Sequence, residues 1–426
     1  MSRILGRDRA PIFFFAYIVF MVATVLQTTM YTEMRYVPQL FIAMRYGAFV
    51  VAAIKVILDL YEDLRAVNGR RDKLMDWVSV VLKYIAITAL VVAVCITADE
   101  RSLAFLFVLL LAARGVSTER IFRVTLWLQI GLMAFVFFSA ATGIITDLVF
   151  ERNGAFNRHA LGYWFPSYIT SYYFFILLLL FWVRKQPLKW TTVMLLGAFN
   201  LLLFLLTDAR LGLLMNSLLI GAEFFRSVER LREPLHRFAD RLLGKRFLGP
   251  AVKWGWALLP ELLVAFLGLL FLFPASWFAQ TVDGLLSNRI YYAYVGIQEY
   301  GIHLLGNAIE WVGYGARTDM FEIKTSYNFV DCSYIFNLLN FGLLVFAGTL
   351  FCLFWVSARL GKKGELHKSF LFGIIFIYCF IEPRLLELNM NTFLFLCTPL
   401  LARPPYLRLL SRKRAAQKAE GQLQNA

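Results

Sequence analysis

The sequence predicts an all-α, polytopic integral membrane protein with about 12 transmembrane helices and one large outer-face loop. Two observations carry this prediction, the composition and the spacing of apolar segments. Of the 426 residues, 60% are apolar and only 17% are charged, whereas an ordinary soluble protein has roughly 25% charged residues. A soluble fold of this size needs a charged surface, but a protein inside a bilayer does not. Soluble enzymes, secreted domains and disordered chains are thereby excluded.

Twelve apolar segments come close to the length of about 20 residues that a membrane-spanning helix needs. The fourth is short enough to be re-entrant, and the second contains Arg45 and Lys55, which leaves its ends open. The segments are 11–30, 37–58, 77–97, 102–113, 122–146, 167–183, 189–206, 211–225, 254–275, 333–356, 369–383 and 388–402. A single helical domain over 1–402 is predicted, followed by a disordered basic tail at 403–426.

Lysine and arginine indicate the orientation, because they collect on cytoplasmic loops. With the N-terminus inside, the inner segments hold 32 of the 43 cations, and both termini are cytoplasmic. The formal net charge of +15 therefore reflects topology and attraction to anionic lipid headgroups rather than nucleic-acid binding. The inner segments are 1–10, 55–76, 114–123, 184–189, 226–253, 359–368 and 403–426.

The predicted outer side has one unusually long connection, 276–331, between spans 9 and 10. A loop of about 56 residues inside a compact protein is usually functional. Apolar residues recur at helical spacing over Leu285–Glu299, so we expect one or two short helices that lie against the membrane and cover a cavity. A shorter outer connection covers 147–166. No internal repeat and no interrupted helix is expected.

No metal or cofactor is expected from the sequence. The five cysteines and four histidines lack the spacing of a metal site or of a disulfide framework. The stretch Gly313–Gly315 lacks the third glycine of a dinucleotide-binding fingerprint, and Gly361–Gly364 is not a phosphate-binding P-loop. With no nucleotide site in the sequence, any reaction must be driven by an activated substrate.

Arginines on the predicted outer side are candidates for phosphate binding, because each opposes the positive-inside bias. Arg210 lies in a short polar break between two spans, Arg289 at the start of a probable helix, and Arg158 beside His159. The planar guanidinium binds phosphate with two hydrogen bonds and keeps its charge, which suits a lipid-linked phosphate or pyrophosphate. For any one arginine, an ordinary surface charge is a strong alternative. The other main outer cations are Arg152, Arg317, Lys324 and Arg384.

Aromatic and acid–base residues complete the candidates. Flat aromatic faces suit sugar rings, but composition alone favours an interfacial belt or a small loop core. Among possible bases, His159 is favoured because Arg158 lies beside it in the sequence, although a lone histidine is more often structural. Asp331 is favoured by its position where the long loop re-enters the membrane. The aromatic residues are Tyr291, Tyr292, Tyr294, Tyr300, Trp311, Tyr314 and Tyr327, and the other possible bases are Glu299, His303, Asp319, Glu322 and Glu382.

Six short motifs follow one another along the predicted outer face. They are Arg152–Gly154 with Leu161–Pro166, Thr207–Gly212, Ser287–Arg289, Gly306 with Val312–Gly315, Val330–Tyr334 with Phe341–Gly342, and Glu382 with Asn391. In this order, over about residues 150–400, they resemble the Wzy-type polysaccharide polymerases of the O-antigen ligase and polymerase superfamily. Each motif alone is weak, but six in one order on one face are fairly specific.

Three positions depart from the family pattern. Ser167 follows Pro166 where asparagine is usual, Asn288 replaces the glycine of Ser-Gly-Arg, and Ala209 replaces the serine before Arg210. Ligases of the superfamily carry a histidine near the end of the large loop, and the matching stretch 327–331 has none. This difference favours a polymerase over a ligase.

The resemblance implies a metal-independent, GT-C-like glycosyltransferase in a bacterial cytoplasmic membrane. It would move a growing glycan from polyprenyl pyrophosphate to a new lipid-linked repeat unit on the outer face. Arg210 and Arg289 would stabilise the leaving pyrophosphate, with Arg158 or Arg152 next, and His159 or Asp331 would accept the hydroxyl proton. Substrate-binding roles would fall to Arg152, Arg317, Tyr291, Tyr292, Trp311, Tyr327 and Glu382.

Partners and alternatives follow from the same resemblance. The expected partners are the lipid-linked donor and acceptor, the bilayer, and flippase and chain-length regulator proteins, with no nucleic acid. One alternative is a ligase that transfers the glycan to another acceptor. The other is a flippase for lipid-linked oligosaccharides or another transporter, for which twelve spans are equally suitable.

Overall fold

The computed structural model describes residues 9–67, 71–152, 156–230, 233–234, 237, 248–313 and 327–402. It is mostly helical, with one two-stranded sheet in the described residues, so the all-α class is confirmed. The helices are α1 (Ala10–Leu26), α2 (Val37–Val67), α3 (Arg71–Thr97), α4 (Ser102–Ala112), α5 (Thr118–Ala141), α6 (Pro166–Val183), α7 (Trp190–Thr207), α8 (Arg210–Ser227), α9 (Leu248–Ala257), α10 (Leu259–Leu272), α11 (Trp277–Leu285), α12 (Arg289–Tyr300), α13 (Ser333–Lys362), α14 (Leu366–Cys379) and α15 (Thr398–Ala402). The strands are β1 (Val149–Arg152) and β2 (Phe156–His159), and 3-10 turns cover Met30–Glu33 and Thr392–Cys397.

Six helices in the described residues are long and apolar enough to cross a membrane, so the chain is a multi-pass membrane protein. Shorter apolar helices of 10–17 residues fall close to five further predicted spans. The total of twelve spans and the sides on which the loops lie remain predictions. The six long segments are Val37–Arg65, Trp77–Thr97, Thr118–Ala141, Pro166–Val183, Trp190–Thr207 and Ser333–Lys362.

Helix α4 is the short fourth segment that the sequence left open as re-entrant. Just before it, Arg101 donates to the Tyr46 hydroxyl of α2 at 2.5 Å. Just after it, Arg114 forms an ion pair with Asp63 of the same α2. Positions 46 and 63 are about 25 Å apart along a helix, which is close to the hydrocarbon thickness of a bilayer. These contacts tie both ends of α4 to α2, and a membrane crossing by α4 remains a prediction.

Helix α6 lies at the centre of the bundle. It buries most of its residues, from Pro166 at its first turn to Trp182 near its end. The neighbouring α7, by contrast, directs Leu195 and Leu205 outward, and they are 71% and 69% exposed. Because apolar side chains on a lipid-facing helix need no protein partner, this difference distinguishes a central helix from a peripheral one.

The expectation that no helix is interrupted is wrong at α13. Gly342 lies inside this helix with φ 79° and ψ 172°, outside the helical region. The amides of Leu343 and Leu344 donate instead to the carbonyls of His303 and Leu304, at 2.9 and 3.2 Å. The segment 303–306 therefore satisfies the backbone at the interruption, as backbone inside a membrane must be satisfied.

Two glycines make this contact sterically feasible. A Cβ atom on Gly342 would lie 2.2 Å from the Gly306 nitrogen, and one on Gly306 would lie 2.2 Å from the Asn340 carbonyl oxygen. On the other side of the segment, the Thr97 hydroxyl of α3 donates to the Leu305 carbonyl at 2.7 Å. The segment 303–306 is thus held between α3 and the broken α13.

Candidate functional site

A β-hairpin presents two of the predicted site residues, Arg158 and His159. The strands pair antiparallel, with Phe150 opposite Arg158 and Val149 opposite His159. Because neighbouring side chains on a strand point to opposite faces, Arg158 and His159 are directed differently. They therefore contact different parts of the protein.

The stretch Leu161–Pro166, which follows the hairpin, fixes where α6 begins. Gly162 has φ 86°, and a Cβ atom there would lie 2.8 Å from Ile145 and 3.1 Å from Ala140 at the end of α5. Its carbonyl accepts from the Met30 amide at 2.9 Å, and Tyr163 is fully buried. The motif thus ties the segment after α1 and the end of α5 to the start of α6.

Arg158 and Arg210 both lie at the turn between α7 and α8. Arg158 Nε donates to the Thr207 carbonyl at 3.0 Å, and its guanidinium lies 5.4 Å from the Phe165 ring centre. Asp208 adopts a left-handed conformation with φ 44°, which reverses the chain between the two helices. Arg210 follows with its side chain 72% exposed and Nε 3.5 Å from Asp208. The turn thus presents an accessible guanidinium.

A second group consists of five charged side chains of alternating sign, which we call the ion chain. Arg289 donates to Glu382 at 3.1 Å, and its Nε lies 3.3 Å from Asp331. Arg384 lies 3.8 Å from the other oxygen of Glu382, and its Nη1 donates to both oxygens of Glu387 at 2.8 and 3.0 Å. The middle members, Glu382 and Arg384, are 6% and 7% exposed, whereas Asp331 and Glu387 at the ends are 24% and 36% exposed. Three carboxylates and two guanidiniums give a formal charge of −1.

Local backbone structure places Arg289 at the first residue of α12. The Asp283 carboxylate accepts from the amides of Ile290 and Tyr291 at 2.9 and 3.0 Å and so caps the helix. Ser287 and Asn288 are both left-handed, with φ 58° and 64°. They end α11 at Leu285, so the predicted helix Leu285–Glu299 is broken here.

The residue type at position 288 suits the left-handed backbone. Asparagine adopts positive φ more readily than other non-glycine residues. Asn288, with φ 64°, is therefore compatible with this turn.

The segment after α14 holds the other half of the ion chain. The Ser333 hydroxyl at the start of α13 donates to the Glu382 carbonyl at 2.5 Å and accepts from the Leu385 amide at 3.1 Å. Arg384 also lies 4.4 Å from the Tyr168 ring centre in the first turn of α6. These contacts fix the backbone on both sides of Arg384.

Asp331, at one end of the ion chain, has a raised pKa. Burial, together with the nearby Glu382 carboxylate, raises its pKa to about 6, against the opposing attraction of Arg289. A carboxyl group with a pKa near the working pH is suited to proton transfer. Asp331 therefore remains a candidate base.

The two charged groups share α6 as a common support. Phe165, directly before the helix, has its ring centre 5.4 Å from the Arg158 guanidinium, and Tyr168 in the first turn has its ring centre 4.4 Å from the Arg384 guanidinium. Thr170, on the same helix, contacts Gly212 of α8, where a Cβ atom would approach within 2.7 Å. The N-terminal end of α6 thus lies between the turn at Arg210 and the ion chain.

The aromatic candidates differ in their accessibility. Trp311 packs against Phe336 with ring centres 5.2 Å apart, and its Nε1 donates to Asn340 at 3.4 Å. This arrangement supports the alternative of a small loop core. Tyr291 is 56% exposed, and Tyr292 packs against Tyr327, 4.8 Å between ring centres.

Several predicted residues lie outside the described part of the chain. They are Arg317, Tyr314, Asp319, Glu322 and Lys324, and only the backbone of Arg152 is described. Among the described residues, no cluster of three or more His, Cys, Asp or Glu side chains suits a metal ion. No protein-family model, no curated protein and no solved structure matches this chain.

Sequence reasoning missed Asp147 and Glu387. Asp147 directly follows the fifth predicted span and contacts His159 across the hairpin, with Oδ2 2.7 Å from Nδ1. Glu387 follows Arg384 by three residues, a spacing that is compatible with an ion pair on one turn. A search for carboxylates near each outer cation would have found Glu387, but the Asp147 contact depends on the hairpin register.

We expect the Arg289→Met variant to be destabilised, because it leaves Glu382 buried without its main cation. Breaking a buried ion pair from one side costs about 3–5 kcal/mol. Arg123→Met is the matched control, since its ion pair with Glu119 is exposed and should contribute at most about 1 kcal/mol. Thermal unfolding in detergent compares the two, and the added change Glu382→Gln should restore part of the loss. Equal unfolding temperatures for Arg289→Met and the wild type contradict a stabilising ion chain.

Proposed function

We propose that the protein is a membrane glycosyltransferase that polymerises polyprenyl-pyrophosphate-linked oligosaccharide repeat units on the outer face of a bacterial cytoplasmic membrane. The observation that carries this proposal is the arrangement around the N-terminal end of α6. An accessible guanidinium at Arg210 lies on one side of it, and a fixed ion chain ending in Asp331 lies on the other. Such a site suits a substrate with a charged leaving group and a neutral hydroxyl nucleophile.

In the proposed reaction, the acceptor hydroxyl oxygen bonds to the anomeric carbon of the donor glycan. The bond from that carbon to the pyrophosphate oxygen breaks, and its electron pair leaves with the pyrophosphate. Arg210, with Arg158 beside it, stabilises the developing negative charge. For Arg289 we propose a different role from donor binding, because its guanidinium contacts the carboxylates of Asp331 and Glu382 and the Ile381 carbonyl. It holds Asp331 and Glu382 in place instead of binding the donor.

Two alternatives remain, and one has a specific observation in its favour. The interruption of α13 at Gly342 is a feature that transporters often show near their substrate sites, which supports a flippase for lipid-linked oligosaccharides. Against it, the segment 303–306 fills the interruption with backbone carbonyls. A ligase of the same superfamily is the second alternative.

Deletion of the gene followed by sizing of the glycans distinguishes the three functions. A polymerase deletion should leave single lipid-linked repeat units on the outer face. Long lipid-linked chains would indicate a ligase, and repeat units retained on the inner face would indicate a flippase. Either of these last two results contradicts the proposed function.

A further inference from the structure

Asp147 and His159 form a carboxylate–imidazole pair on the β-hairpin that also carries Arg158. Asp147 Oδ2 lies 2.7 Å from His159 Nδ1. The carboxylate can only accept this hydrogen bond, so Nδ1 carries the proton and donates. In the neutral ring, Nε2 then holds the lone pair and is the basic nitrogen.

The backbone fixes the carboxylate of this pair. Asp147 Oδ1 accepts from the Leu161 amide at 2.6 Å, and Leu161 has a left-handed conformation with φ 53°. The Ala160 amide donates to the Leu148 carbonyl at 2.8 Å, which continues the hairpin ladder towards Asp147. Both carboxylate oxygens are therefore occupied, and the side chain has little freedom to rotate.

The imidazole itself remains accessible. The His159 side chain is 39% exposed, whereas Asp147 is 26% exposed. Within the described part of the chain, the ring forms its hydrogen bond with Asp147 through Nδ1. Nε2 is therefore the nitrogen that is available to a ligand.

We propose that His159 is the general base for the acceptor hydroxyl and that Asp147 is the positioning residue that selects its tautomer. The inference rests on the proposed function. As the new bond from the acceptor oxygen to the anomeric carbon forms, the hydroxyl proton moves to Nε2. The electron pair of the cleaved bond leaves with the pyrophosphate, and the imidazolium then gives its proton to water. Asp331 in this scheme orders the ion chain and takes no proton from the acceptor.

The tautomer can be measured without any enzymatic assay. The chain has four histidines, so ¹⁵N-histidine labelling gives few imidazole signals, and the signal missing in His159→Gln assigns the ring. We expect the Nδ1–H tautomer in the wild type and a loss of this preference in Asp147→Asn. The asparagine oxygen can still accept from the Leu161 amide, so the turn should be kept. An Nε2–H tautomer or an imidazolium in the wild type at working pH overturns the proposal.

The kinetic test uses lipid-linked repeat units purified from the deletion strain. His159→Gln should lower kcat by about 10²–10⁴-fold, the usual contribution of a general base. Asp147→Asn should lower kcat by roughly tenfold or more, with the KM for acceptor almost unchanged. Asp99→Asn is the control, because Asp99 is an exposed carboxylate and asparagine tolerates its left-handed backbone, φ 50°. Full activity is expected.

The tautomer measurement and the kinetic measurement test the Asp147–His159 pair and the proposed function separately. Wild-type kcat in Asp147→Asn or in His159→Gln overturns the proposed base. If the wild type shows the expected tautomer but forms no polymer from the repeat units, the proposed function is wrong, while the Asp147–His159 geometry stands.

Discussion

Replacement of Gly342 by alanine should prevent the folded protein from accumulating. The new Cβ atom would lie 2.2 Å from the Gly306 nitrogen and 2.6 Å from the Leu304 carbonyl oxygen. Both are backbone atoms that cannot rotate away, and forcing side-chain atoms into a packed interior already costs about 1–3 kcal/mol. Alanine at φ 79° and ψ 172° adds about 1–3 kcal/mol, because this backbone conformation is essentially confined to glycine. Together these costs are a large fraction of the stability of an ordinary domain.

Gly348 provides the matched control in the same helix. A Cβ atom there meets nothing within 4 Å, so Gly348→Ala should accumulate at the wild-type level. Gly306→Ala should behave like Gly342→Ala, because it meets the Asn340 carbonyl from the other side of the contact. The measurement is monodisperse protein recovered after detergent extraction, by fluorescence-detected gel filtration. Wild-type recovery of Gly342→Ala would mean that the segment 303–306 does not pack against the interruption.

Loss of the Arg210 guanidinium should have the second large effect, on the rate rather than on folding. Removal of one donor to a developing oxyanion typically lowers kcat by about 10²–10³-fold, so Arg210→Ala should yield short chains or single repeat units. Arg210→Lys should restore little, because a point charge does not reproduce the bidentate fork. Since the side chain is 72% exposed, neither change should lower the unfolding temperature measurably.

Arg101→Ala is the control for Arg210. It removes another exposed arginine of the predicted outer face, whose hydrogen bond goes to the Tyr46 hydroxyl of α2. Polymer length at matched membrane expression should remain at the wild-type distribution for Arg101→Ala and collapse for Arg210→Ala. A wild-type distribution for Arg210→Ala would remove this residue from the donor site.

The sequence predicts the helical membrane fold well because that property is local. Each span needs only its own apolar residues, and the composition alone requires a bilayer. The interruption of α13 is different, because it depends on hydrogen bonds between residues 303–304 and 343–344. A glycine within an apolar segment does not alter the hydrophobic periodicity. The sequence pattern therefore cannot reveal a hydrogen-bond partner about 40 residues away along the chain.

The same distinction between local and long-range properties applies to the candidate site. The polar break at Arg210 is visible in the sequence, and the structure places this side chain in an accessible turn. The sequence groups Arg289 with Arg210 because both are outer arginines, whereas the structure surrounds Arg289 with Asp331 and Glu382. Charge type can be read from residues one at a time, but the partner that neutralises a charge depends on packing between distant segments.

The segment 303–306 imposes an order on biogenesis. It leaves the ribosome before α13, and its hydrogen-bond partners at Leu343 and Leu344 do not exist until about 40 more residues have been synthesised. On the predicted topology, the segment crosses the membrane with its carbonyls hydrated and settles between α3 and α13 only after α13 has entered the bilayer. A chain that ends in a reporter fused near residue 320 lacks α13 and therefore cannot complete that step. Truncated fusions would show residues 303–306 as fully accessible to water-soluble reagents, whereas the same residues in the complete protein would be shielded.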